Sequence, residues 1–314
     1  VIASAQAAAI SLKDVYEVPR LAMQGVLAWA LPQAVWWPLS RLFGQVNAAL
    51  HPARTRSDVA SIEKLLAGTR HAMRGRAIAT EIWCNRYEER FQYLRAWRPG
   101  GWNPAIDILG SAHIDEAIAS GRGVLFWGSS FSFNDLVTKM AWHRLGLRVV
   151  HFSRPAHGFS ETRFGIRYLN PVRCRVEDVY LGARMAVEDH ETGAALNHLR
   201  QHLAGKGLVS FTVGGRGRRT VSARFLAGRL VLATAPLHLA QSAGAAVLPV
   251  FTLRGAQGRF QVDIDRPIEM PINSSGEPDY AHAAQDYADR LASYVLCEPG
   301  QWKGWRHTSG LDRQ

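Results

Sequence analysis

The sequence predicts an α/β fold: a central, largely parallel sheet flanked by helices, with an N-terminal helical segment. Three observations predict it. Short apolar runs at 123–128, 147–152, 207–213 and 245–253 are separated by stretches of helical pattern, as expected for strands joined by crossover helices. The chain of 314 residues is long enough for a full core. Its 47% hydrophobic and 20% charged residues are those of a globular protein rather than a disordered one.

Residues 1–19 read as mixed and mobile. Leu21 to Ser40 then runs without a charge between Arg20 and Arg41 and contains Trp29, Trp36 and Trp37. That length would permit a membrane span. Pro32, Pro38, Gln24 and Gln33 argue against a straight one, whereas Trp beside basic residues suits a helix lying in the headgroup region. A first helix buried in the protein is the other reading. Residues 56–98 read as helical, with Arg70, Arg74 and Arg76 either facing phosphate or forming a solvated face. The stretch 99–104, Pro-Gly-Gly-Trp-Asn-Pro, breaks the chain. After it come a short strand and a helix over 106–120, the strand at 123–128, a helix from Leu136, a strand at 147–152 and one helix over roughly 178–204. The strand at 207–213, a helix near 233–243, a strand at 245–253, an outer strand at 260–264 and a final helix at 280–297 complete the order. The expected division is 1–55 as an N-terminal membrane-associating segment and 56–314 as the α/β domain.

Net charge is +11 and the pI about 10.1, which calls for an anionic partner: a membrane surface, nucleic acid, an acidic carrier protein or a phosphate-bearing cofactor. The basic residues are dispersed and show no helix-turn-helix, zinc-finger or aromatic RNA-binding signature, so nucleic acid is set aside. Cys84, Cys174 and Cys297 are far apart and suggest neither a zinc cluster nor a disulfide framework; no bound metal is expected. A basic stretch followed by a short apolar core is missing from the first residues, so no signal peptide is expected.

Ligands of parallel sheets bind at the carboxyl ends of strands. The stretch 123–135, Gly-Val-Leu-Phe-Trp-Gly-Ser-Ser-Phe-Ser-Phe-Asn-Asp, reads as a buried strand, a tight turn and a helix N-terminus, whose free N–H groups and positive dipole end face whatever lies in front. Ser132 to Asp135 has the pattern of a capping box. The loop Gly214-Gly215-Arg216-Gly217-Arg218-Arg219 combines backbone freedom with guanidinium groups and either suits phosphate or is a flexible exposed turn. It lacks the Lys-Ser/Thr ending of a nucleotide-binding loop.

The order of residues in 123–135 resembles the late (lauroyl/myristoyl) acyltransferases of lipid A synthesis and the wider glycerolipid acyltransferase superfamily, where such a strand ends in His, four residues and an acid. Asp135 takes the acidic position and Ser130 the His position. The segments 225–250 and 299–307 are similar to later family segments in the same order, with Arg229 at the family's Arg position. The resemblance implies an acyl-carrier protein or acyl-coenzyme A as donor, no bound cofactor, and a peripheral or monotopic place on the cytoplasmic face of a bacterial inner membrane. Arg163 and Arg167, which would share a helix face, join Arg216, Arg218 and Arg229 as candidate substrate-binding residues. The family's base is missing, because a Ser hydroxyl is not a base near neutral pH; the acid expected after the third strand is likewise replaced, by Gly214 and its neighbours. Ser130 therefore acts as a nucleophile activated by a nearby base, with His143, His151, His157 and His238 as candidates, or as an oriented hydroxyl beside a self-activating amine acceptor. The alternative is a non-catalytic homologue that binds an acyl chain or carrier protein, or assembles with an active partner.

Overall fold

In the computed structural model, residues 8–187, 192–214 and 217–309 are described. Within the stretch 1–19 read as mobile, the described residues turn helical from Leu12; residues 1–7 lie outside the described residues. Ser11 caps α1 (Leu12–Ala30): its hydroxyl accepts from the Asp14 backbone N–H, and the Asp14 carboxylate accepts from the Ser11 N–H at 2.8 Å. The reciprocal cap satisfies two orphan donors, and this Ser-x-x-Asp pattern is why the helix begins inside the region read as mobile. The uncharged stretch is cut where α1 ends at Leu31 and Pro32, so it supplies parts of two helices, α1 and α2 (Trp36–Leu50). Among the described residues no helix is long and apolar enough to cross a membrane.

The region 56–98 comprises α3 (Pro52–Leu65) and α4 (Gly75–Trp97) with an irregular link. In that link Arg70 Nη2 and His71 Nε2 each lie 2.9 Å from the Leu296 carbonyl oxygen, near the end of the last helix. Basic groups at a helix C-terminus complement its orphan carbonyls, so Arg70 has a structural duty. α2 packs hard on α4: a Cβ on Gly44 would lie 2.6 Å from Cys84 Sγ.

The sheet follows, with β1 (Ile106–Leu109), α5 (Ala112–Ala119), β2 (Val124–Gly128), α6 (Asn134–Arg144), β3 (Val149–Ser153), α7 (Asn170–Asp178), β4 (Ala183–Ala186), α8 (Thr192–Ala204) and β5 (Leu208–Thr212). The single helix expected over 178–204 is thus a helix end, a strand and a second helix. Ala-Arg-Met-Ala in β4 carries no β-branched or aromatic residue, and only pairing with β3 makes it a strand. Next come β6 (Thr220–Phe225), β7 (Gly228–Ala233), α9 (Ala235–Ala243), β8 (Ala246–Arg254), β9 (Phe260–Ile264), α10 (Tyr280–Cys297) and β10 (Thr308–Ser309).

The main sheet has the order β1-β9-β8-β2-β5-β3-β4, with all pairs parallel except β8 with β9. β9 is therefore one strand in from the edge rather than outermost. A small antiparallel sheet, β10-β7-β6, stands apart. β2 lies at the centre with all five residues buried. One face of the sheet packs on a cluster with Leu21, Trp36, Phe91 and Met140, the other on a cluster with Leu237, Tyr287, Leu291 and Trp302. Each such side chain contributes roughly 1.5–3 kcal/mol when fully buried. Residues of α1 and α2 thus share a core with the sheet.

Candidate active site

β2 delivers its last residues to the carboxyl edge of the sheet. Gly128 packs closely there: a Cβ would stand 3.0 Å from Asn134 Nδ2, so a larger residue would have to push that side chain aside. The Ser129 N–H donates to the Val250 carbonyl at 3.1 Å. Beyond it the turn is stitched to a distant segment. Phe131 bridges Trp302, Ser132 donates from both N–H and Oγ to the Gln301 carbonyl at 2.8 and 3.0 Å, and the Lys303 N–H donates to the Ser130 carbonyl at 2.9 Å.

These bonds displace the capping box expected at Ser132. α6 starts at Asn134 behind Phe133 without a side-chain cap, because Ser132 is committed to Gln301 and Asp135 to an arginine. Ser130 is half-buried, and its hydroxyl donates to the Val213 carbonyl at 3.3 Å. Among the described residues no imidazole hydrogen-bonds it. Beside it opens a small recess walled by Val213, Leu230, Val231, Leu291 and Trp302.

Behind the turn the charges are dense. Arg173 Nη2 lies 2.5 Å from Asp135 Oδ2 and 3.2 Å from Glu89 Oε1, while its Nε lies 3.1 Å from Glu177 Oε1. Glu177, fully buried, also receives Lys139 at 2.8 Å, Arg184 at 2.7 Å, His157 at 3.0 Å and the Tyr93 hydroxyl at 2.6 Å. Lys303 reaches Glu89 at 3.4 Å and Asp135 at 3.9 Å. Burial alone would raise the Asp135 carboxyl; Arg173, Lys303 and Lys139 outweigh it and hold the group far below the usual carboxylate range. Glu177 is likewise pushed up by burial and pulled well down by His157, Lys139 and Arg173. Asp135 is therefore a carboxylate pinned by an arginine, not a proton acceptor.

The candidate histidines go elsewhere. His157 pairs with Glu177, and His151 Nδ1 lies 2.8 Å from Ser210 Oγ, with burial pushing its imidazole well down. His143 sits edge-on to Tyr180 and His238 against Tyr280. Arg163 and Arg167 are exposed; the Arg163 N–H donates to the Ala8 carbonyl at 3.0 Å, ahead of α1, and Arg167 lies over the Tyr168 ring at 5.5 Å. Arg218 is exposed before β6, and Arg229 is exposed on β7, donating from Nε to Ser222 Oγ at 2.9 Å. Arg216 lies outside the described residues. Sequence reasoning missed Arg173, Glu177, Lys139 and Lys303. A signal existed: Lys139 is a lone charge in the otherwise uncharged run from Leu136 to Trp142, and Arg173 and Glu177 are four apart.

Residues 176–308 match the family model of bacterial lipid A biosynthesis acyltransferases. Over that stretch the chain is similar to lipid A biosynthesis acyltransferases. The matched stretch runs from the end of α7 to β10, so it includes Glu177, the walls of the recess and Lys303; Ser130 and Asp135 precede it. The match supports acyltransferase activity in general terms. No curated protein matches the chain.

Proposed function

We propose that this chain is a membrane-surface acyltransferase, moving a fatty acyl group from a thioester donor, an acyl-carrier protein or acyl-coenzyme A, to an amine acceptor beside Ser130. The observation that carries this reading is the apolar recess at the end of β2. It takes its walls from the acyltransferase-like stretch and has Ser130 at its edge. The recess measures about 10 Å³, room for one water-sized group rather than an acyl chain; its walls are apolar, and a free amine needs no protein base to attack. Its lone pair forms the C–N bond as the C–S bond breaks; the thiolate leaves, and the ammonium proton passes to it or to water. Because the Ser130 hydroxyl spends its proton on the Val213 carbonyl, its oxygen is free to accept an N–H and orient the amine. A hydroxyl acceptor, or an acyl-Ser130 intermediate, would need a base, and a peptide carbonyl is not one.

Arg218 and Arg229, with Arg216, are the residues proposed to meet phosphate on the donor. Residues 1–55 are proposed as the membrane-associating segment of the 56–314 domain: α1 and α2 leave Leu12, Tyr16, Val26, Trp29, Leu42 and Leu50 exposed, and Arg163 and Arg167 lie near the start of α1, where lipid headgroups would meet them. This reading corresponds to the cytoplasmic face of a bacterial inner membrane. A second reading, a non-catalytic homologue, is favoured by one observation, the lack of an imidazole on Ser130.

The test is thiol release from a long-chain acyl thioester with amine or alcohol acceptors, together with intact-protein mass. Release that requires the amine, without an adduct, is expected. An adduct lost in Ser130→Ala would establish a covalent acyl-Ser route instead. No release with any acceptor would leave the non-catalytic homologue standing.

A further inference from the structure

On the far side of the Glu89 network lies a second cluster of arginines. Arg54 of α3 and Arg86 of α4 stack on the same indole, that of Trp83, with guanidinium carbons 4.8 and 5.0 Å from the ring centroid. Arg306 joins them through Asp58, whose carboxylate it holds at 2.5 Å. Among the described residues Asp58 is the carboxylate ion-paired within this group, and Glu89 also acts on Arg86, so three guanidinium groups meet two negative charges. Arg54 and Arg86 make no hydrogen bond or ion pair with the described residues. Burial depresses both; Arg306 adds to it at Arg54, Arg54 and Arg306 add to it at Arg86, and Asp58, with Glu89 at Arg86, offsets part.

Of the three only Arg86 is partly buried, while Arg54 and Arg306 are exposed, and like charges beside Arg86 add to the cost of its desolvation. Together they offer guanidinium groups suited to bidentate recognition of an anion. The indole fixes the two planes but supplies no acceptor. Position adds a further argument. Arg86 and Glu89 are three apart on α4, and Lys303 and Arg306 are three apart in the closing segment, so the cluster adjoins the network that holds Asp135.

We infer that Arg54, Arg86 and Arg306, framed by Trp83, form a binding site for a phosphate ester. Its geometry stands apart from the catalytic reading; only its use, to hold the phosphate of a reactant while acyl transfer proceeds, rests on that reading. The phosphate could be carried by coenzyme A or by a lipid headgroup, and the chemistry recognised is the same.

The test is calorimetric titration of the full chain with inorganic phosphate, coenzyme A and a short-chain phosphatidic acid, a readout independent of turnover. Binding of at least one probe is expected, weakened at least about tenfold in Arg54→Gln/Arg86→Gln and unchanged in Arg122→Gln, an exposed charge-matched control ahead of β2. Coenzyme A alone would assign the site to the donor, and phosphatidic acid alone to a lipid. Should the double variant fail to fold, Asp58→Asn gives the opposite reading, because removing the Asp58 carboxylate should tighten binding about threefold. Binding that is absent for all three probes, or indifferent to Arg54→Gln and Asp58→Asn, overturns the site. Loss of acyl transfer with phosphate binding intact would overturn only the acyltransferase reading.

Discussion

Ser130 and Asp135 are five residues apart on the same turn and live in opposite conditions. Ser130 has one long hydrogen bond to a peptide carbonyl beside an apolar recess. Asp135 sits in a lattice of charges reaching from α4 through α6 and α7 to Lys303. The acid is thus held by many partners where the serine is held by one. The difference follows from load. Asp135 shares Arg173 with Glu89 and Glu177 and so helps to hold three helices together, whereas the Ser130 side chain has one hydrogen bond, to the Val213 carbonyl.

The largest effect should come from the lattice. Glu177→Ala strands Lys139, Arg173 and Arg184 in the interior and should lower unfolding stability by about 3–5 kcal/mol, read from the urea midpoint. Ser130→His, which rebuilds the His-x4-acid spacing, should speed thiol release to alcohol acceptors by about a hundredfold, the usual scale of general-base catalysis; no gain would mean that Asp135 is too tightly held by Arg173 to orient an imidazole. Asp135→Asn should cost about 1–3 kcal/mol and blunt the acid sensitivity of the protein. The sign is set by the lowered folded pKa values of Asp135 and Glu177: their contribution is present above about pH 4, the ordinary carboxylate range, and is lost as pH falls toward the folded values.

Glu88, pushed up to about 7 by burial despite Arg254 beside it, acts in the other direction. Its contribution is present below about pH 4 and is lost as pH rises through 7. Glu88→Gln should therefore flatten the stability profile between about pH 5 and 7, by about 1 kcal/mol or more, in chemical denaturation at stepped pH. The smallest effect should be that of Ser130→Ala on stability, within about 0.5 kcal/mol.

The sheet was legible because its inner strands are uninterrupted apolar runs, as strands buried on both faces must be. β4 was not, since Ala-Arg-Met-Ala has no strand character of its own. The two capping boxes make the same point. At Ser11 the local pattern operates because Asp14 is close enough to answer it, even as its carboxylate also takes Ser160 and Thr162. At Ser132 an equally good pattern yields to partners 169 and 38 residues away. Local chemistry is readable where no distant partner competes. Site chemistry is assembled from distant partners, and Arg173, Glu177 and Lys303 leave only faint marks in sequence.

The stitching of Phe131, Ser132 and Ser130 to residues 301–303 has a temporal consequence. On the ribosome, β2 and α6 can form as soon as they emerge, but the turn between them gains its partners only when residue 303 has left the exit tunnel. The turn that carries Ser130 therefore stays unstitched while the 169 positions separating Ser132 from Gln301 are made, and its geometry is set only after the sheet beneath it has its strands.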